Sequence, residues 1–139
     1  MSGNGLVALQ KWGITVLRVV VGIVFLMHGG QKLFIWGIGN VAGTMEGAGI
    51  PMPMLAAVVV TGVEFLGGFT LLVGFLTRWA AIPLAMDMVG AILTVHLQGG
   101  FFLPNGFEFA LTLLAANLSL ALLGSGEASI DRFLEMRNL

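Results

Sequence analysis

The chain has 139 residues, 58% of them hydrophobic and 9% charged, with a formal net charge of −1 and a mean hydropathy of +1.01. Water-soluble domains carry about 25% charged residues to face solvent, so this composition excludes a water-exposed globule and makes the lipid bilayer the first expected partner. No cysteine is present, which excludes disulfides, thiol redox chemistry and thiolate metal ligands inside the chain, and the charge balance gives no basis for a nucleic-acid partner.

The first apolar run, "VLRVVVGIVFLMHGGQKLF" at 16–34, belongs to a helix predicted over about 14–34. It is long, interrupted by Arg18 and without a small-x-small cleavage pattern, so it is expected to persist as a membrane helix rather than act as a signal peptide. The following stretch, "IWGIGNVAGTMEGAGIPMP" at 35–53, is rich in glycine and carries Pro51 and Pro53. It predicts an irregular or re-entrant outer loop.

A second helix is predicted over 54–76, holding Glu64, and a tight turn at "LTRW", 76–79. The third helix, 79–97, carries Asp87 and His96 and ends at "QGGFFLPNG", 98–106. Asn105 followed three residues later by Glu108 resembles an N-cap pair opening a fourth helix at 107–123. In the tail 125–139, Ile130, Phe133 and Leu134 share one side among charges, which suits a short interfacial helix.

A helix needs about 20 residues, rising 1.5 Å each, to cross the hydrocarbon core. The first two segments fit easily, and the last two are slightly short and should tilt little. The apolar runs are continuous, with no sustained alternation, so they read as helices rather than barrel strands. The expected fold is all-α: a single domain over 1–139, built as a membrane four-helix bundle with a short interfacial C-terminal helix.

Four spans place the N-terminus, the 76–79 turn and the tail on one side of the membrane. Lys11, Arg78, Arg132 and Arg137 lie there with Arg18 close by, whereas the other side offers only Lys32. The positive-inside rule then puts both termini in the cytoplasm, for a multi-pass protein of the plasma (inner) membrane. A faint echo joins "GIVFLMHGG" to "GAILTVHLQGG", each placing a histidine six residues after a glycine. It is either a parallel repeat or coincidence in a glycine-rich chain.

The ionisable residues inside these spans set the functional problem. Counting helical rise from the cytoplasmic ends puts Arg18 about 6 Å deep, Asp87 about 12 Å, Glu64 about 18 Å and His28 about 21 Å. Lys32, His96 and Glu108 fall about 25 Å or more from that side. The expected arrangement is an inner Arg18–Asp87 tier, a middle Glu64–His28 tier and an outer tier of Lys32, His96 and Glu108. At about 100° per residue, Arg18, His28 and Lys32 share one sector with Gly22 and Gly29. Gly67 and Gly68 flank Glu64, forming a small-residue face that permits close packing. His96 stands about half a turn from Asp87 on an ideal helix, so it is expected to serve the outer loops.

A charge at the bilayer centre costs about 2.5–3.5 kcal/mol on insertion scales. These groups should therefore face one another in the bundle interior. Plain structural readings stand beside the functional ones: Arg18 snorkelling to the interface, Lys32 as an interfacial anchor, Glu108 completing a cap, His28 as a hydrogen-bonded core histidine. No His-x-x-x-His, Glu-x-x-His, Cys-x-x-Cys-His, dinucleotide fingerprint, P-loop or nucleophile elbow occurs. No metal site and no intrinsic cofactor are expected.

Taken together, several motifs resemble the DoxX family of small four-helix membrane proteins. They are Arg18 with Gly22, His28, Gly29 and Lys32; Glu64 with Gly67, Gly68, Gly74 and Arg78; Asp87 with His96; Gly106 with Glu108; and Gly126 with Asp131. The resemblance runs from about Leu17 to Arg132. It implies association with quinone-linked redox systems, such as subunits of a quinol oxidase or a thiosulfate:quinone oxidoreductase. On that reading Glu64 and Asp87 are a candidate proton relay, and Arg18, His28, Lys32, His96 and Glu108 are candidate substrate-binding groups for a quinone or quinol headgroup. Electrons would come from redox enzyme subunits as partners. The alternatives are a scaffold docking soluble redox enzymes through the tail, and a small proton or solute transporter, for which a homo-oligomer would supply a pore.

Overall fold

A computed structural model describes residues 3–137, apart from the side chain of residue 4. Residues 1 and 2 of the expected domain, and 138 and 139 of the expected tail, lie outside the described residues.

The first helix, α1 (Gly3–Gly30), continues through wide π turns over Gln31–Trp36. Then come α2 (Ile38–Gly47), α3 (Pro53–Val73) and α4 (Thr77–Ala91). The last of these continues through π turns at Ile92–His96 and a tight 3₁₀ turn at Leu97–Gly99. Two further helices close the chain, α5 (Glu108–Leu123) and α6 (Ile130–Arg137). Among the described residues there is no strand. The fold is all-α and of membrane type.

Three continuous segments, Gly5–Trp36, Pro53–Val73 and Thr77–Gly99, are long and apolar enough to cross a bilayer. The fourth expected span, α5, has 16 residues, or about 24 Å of rise against a core of about 30 Å. It completes the bundle by packing on α4, while α1 packs chiefly on α3. The outer surface carries large exposed apolar side chains, among them Val20, Leu66, Phe69, Trp79 and Leu122, as a lipid-facing surface requires.

The α1–α3 contact is backbone against backbone. A Cβ on Gly22 would stand 2.6 Å from the Leu72 nitrogen, and Gly29 and Gly68 are pressed as closely on Phe65 and Leu26. Lipid tails compete for apolar side chains, so membrane helices gain by approach through small residues. The core that results joins Val21 and Phe25 of α1, Leu71 of α3, Leu84 and Met88 of α4, and Leu113 and Leu120 of α5.

Three local expectations need correction. The 35–53 stretch is not irregular throughout, because α2 forms inside it and buries Val41 and Ala42 against Ala57 of α3. Ile38, Val41, Ala42 and Met45 recur at helical spacing, a signal obscured by the interleaved glycines. The turn before α4 lies at Gly74–Leu76, with Gly74 and Leu76 both left-handed (φ 71° and 49°), and α4 begins at Thr77. The start of α5 has no side-chain cap from Asn105. Instead Glu108 Oε1 accepts a hydrogen bond from the Leu103 backbone nitrogen at 2.8 Å.

Candidate functional site

Between α1, α2, α3, α4, α5 and the 100–107 loop lies a cleft of about 840 Å³. Its walls are largely apolar, including Phe25, Met45, Val60, Met88 and Phe109, and five of the ionisable residues singled out by the sequence line it: His28, Lys32, Glu64, Asp87 and His96. Such a volume lies within the range of small-molecule sites, which combine apolar walls with a few convergent polar groups.

The centre of the cluster is an ion pair between Lys32 Nζ and Glu64 Oε2. Glu64 is buried mid-way along α3, and the lysine side chain is mostly shielded. Rise along α1 puts the Lys32 backbone in the outer tier, but its four-carbon stem lets the ammonium reach a carboxylate deeper in the bundle. Asp87 on α4 faces this pair, within electrostatic reach of both charges. Its Oδ2 is buried and has no hydrogen-bond partner. The ammonium pairs with Glu64 alone, and Asp87 keeps an unused acceptor that a proton or a ligand's hydroxyl can meet.

The histidines stand nearer the mouth. His28 is exposed at the cleft wall, its ring 6.2 Å from that of Phe109. His96 Nδ1 lies 3.4 Å from the Asn105 carbonyl oxygen, the loop contact expected of it, yet His96 also lines the cleft. The π turns at Ile92–His96 explain both. Each residue of a wider turn advances through a smaller angle than in an α-helix, so His96 swings back toward the face of Asp87. Lys32 likewise lies in π turns, on the parallel helix α1. Insertions of this kind are frequent at functional sites.

Two candidates fall outside the cleft. Glu108 braces the 100–107 loop from behind through Leu103. Arg18 does not pair with Asp87 or Glu64, contrary to the expected inner tier. Its guanidinium is 1% exposed and donates to four backbone carbonyls: Leu71 at 2.5 Å, Leu72 at 2.9 Å, Ser125 at 2.9 Å and Ala128 at 2.5 Å. The carbonyls ending α3 have no intrahelical partners, and they outcompete a carboxylate on another span. Residues that the sequence reading missed are α2's Val41, Thr44 and Met45, which wall the cleft. Also missed is the buried Asn117, whose side-chain oxygen lacks a partner.

Residues 13–97 match the family described as DoxX. The chain belongs to the DoxX family. A 40% identical relative is "Uncharacterized membrane protein Rv3486" of Mycobacterium tuberculosis, aligned over 87% of this chain and 80% of that protein. "Putative oxidoreductase CatD" of Bacillus subtilis (strain 168) is 34% identical over 87% of this chain and 86% of its own. "Inner membrane protein YqjF" of Escherichia coli (strain K12) is 36% identical over 93% and 97%. No solved structure matches the chain significantly. The DoxX match ends at 97, so it covers the spans that carry Lys32, Glu64, Asp87 and His96 but not the α5 wall of the cleft.

Proposed function

We propose that this DoxX-family protein is the membrane subunit of a quinone-linked redox system and that its cleft takes a quinone or quinol headgroup. The observation that carries this reading is the unpartnered Asp87 Oδ2 beside the Lys32–Glu64 pair, in the wall of an apolar cleft. A quinone headgroup is a flat apolar ring with an oxygen at either end. Lys32, His28 and His96 supply donors for its carbonyl form, and Asp87 supplies an acceptor for its hydroxyl form. Oxidation of a quinol releases two electrons and two protons and leaves the quinone. Asp87 and Glu64 take up the protons, and a cofactor-bearing partner subunit takes the electrons. The name of the CatD relative is consistent with redox chemistry.

On this reading the protein resides in the plasma (inner) membrane with both termini cytoplasmic. Lys11, Arg78 and Arg132 gather at one end of the bundle and Lys32 stands toward the other, the asymmetry that sets orientation. A second reading, a scaffold for soluble redox enzymes, draws on the fixed attachment of residues 125–131 by Arg18 and by Asp131.

The test is equilibrium binding of short-chain ubiquinone and menaquinone analogues to the purified protein. Asp87→Asn and Lys32→Gln should each weaken binding by roughly tenfold, since each removes one hydrogen bond to or from a charged group. Undiminished affinity in both variants rejects the site. A wild-type protein that binds neither analogue rejects the function.

A further inference from the structure

We propose that the groove between α1, the start of α4 and α6 binds the phosphate of an anionic phospholipid headgroup. This groove, about 510 Å³, lies at the end of the bundle away from the Lys32 cleft, and Lys11, Arg78, Trp79, Arg132, Asp131 and Glu135 contribute to its lining.

Its charges are not mutually cancelled. Arg132 Nη2 pairs with Glu127 Oε1 at 2.8 Å. Both Asp131 oxygens are engaged, accepting from the backbone nitrogens of Leu76 at 2.7 Å and Thr77 at 3.0 Å. Glu135 stands exposed on α6. Among the described residues no carboxylate pairs with Lys11 or Arg78, and no acceptor takes a hydrogen bond from either side chain. Lys11 and Arg78, two cations with free donors, therefore face this groove.

Arg78 lies against the turn after α5. The chain leaves α5 through Gly124 in the left-handed region (φ 89°), and the Arg78 Nε lies so close that a Cβ there would stand 3.2 Å from it. Beside the guanidinium, Trp79 is 74% exposed, and Phe75, Leu76 and Leu123 are exposed as well. Tryptophan is enriched at the membrane–water interface, and apolar surface next to a basic pocket is what acyl chains need once the phosphate is seated. Basic pockets between spans at a membrane face are suited to anionic headgroups. The inference is independent of the quinone reading, because it uses none of the cleft residues.

The experiment measures lipid retained by the purified protein, by native mass spectrometry after exchange into detergent with phosphatidylglycerol or phosphatidylcholine. Phosphatidylglycerol should be retained selectively, and Arg78→Gln and Lys11→Gln should each lower its retention roughly fivefold while leaving phosphatidylcholine unchanged. Equal retention of the two lipids by the wild type, or undiminished phosphatidylglycerol retention in the double variant, overturns the proposal. Inorganic phosphate serves as competitor. If it displaces phosphatidylglycerol at equal concentration, the groove is a site for free phosphate and the lipid assignment fails. Should the double variant not fold, the wild-type comparison decides alone: selectivity that falls with rising salt supports the site, and selectivity that ignores salt rejects it.

Discussion

Lys32 and Glu64 stand 32 residues apart in sequence and form an ion pair inside the bundle, tying the outer end of α1 to the middle of α3. A charge held away from water depends on its partner. Removing one member leaves the other buried without its direct partner, at a cost of about 3–5 kcal/mol, whereas removing both deletes the two charges of the pair together.

Glu64→Gln should therefore lower stability by about 3 kcal/mol, and Lys32→Met combined with Glu64→Gln should recover most of that loss. The check is unfolding in mixed micelles followed by circular dichroism. If the double variant proves as unstable as the sum of the single ones, the pair contributes no coupling and its structural role is refuted.

Arg18 should tolerate no conservative replacement. A lysine keeps the charge but cannot direct donors along the fixed fork that reaches Leu71, Leu72, Ser125 and Ala128 together. Arg18→Lys is expected to cost roughly 3 kcal/mol, at about 1.5–3 kcal/mol for each charge-assisted bond lost. It should also release the segment after Gly124. Limited proteolysis reads that release directly, and an unchanged cleavage pattern at 125–137 would sink the account.

Gly68→Ala tests the helix contact beneath the site. The added methyl meets the Leu26 and Phe25 backbone, which cannot move as a side-chain tip can, so the helices must separate. The expected penalty is about 1–3 kcal/mol. Gly62→Ala, where a Cβ meets nothing within 4 Å, should be neutral or slightly stabilising, because alanine is the better helix former. Equal effects at the two positions would show that α1 and α3 do not approach through Gly68.

The first helix starts at Gly3, well before the expected residue 14, whereas the all-α membrane class and the inward turn of Glu64 and Asp87 were legible in the chain. They follow from local quantities: run length, hydropathy and the cost of a charge in hydrocarbon. The small-residue face at Gly22, Gly29 and Gly68 was legible for the same reason. α2 was not, since three glycines in ten residues hide its apolar spacing, and the helix forms because Ala57 offers Val41 and Ala42 a surface to bury against.

What the sequence determined by itself is that this protein lives in a bilayer and turns its charges inward. Only the tertiary structure decided which charge meets which. Helical depth pairs residues by height, but the actual partners depend on side-chain reach, on π turns that rotate the outer ends of α1 and α4, and on competition from unsatisfied carbonyls. Those carbonyls hold Arg18 at the end of α3, leaving Lys32 to compensate Glu64 and Asp87 with an unpartnered oxygen facing the cleft residues. No local property of the chain encodes that outcome, because it is settled by where three separate helices meet.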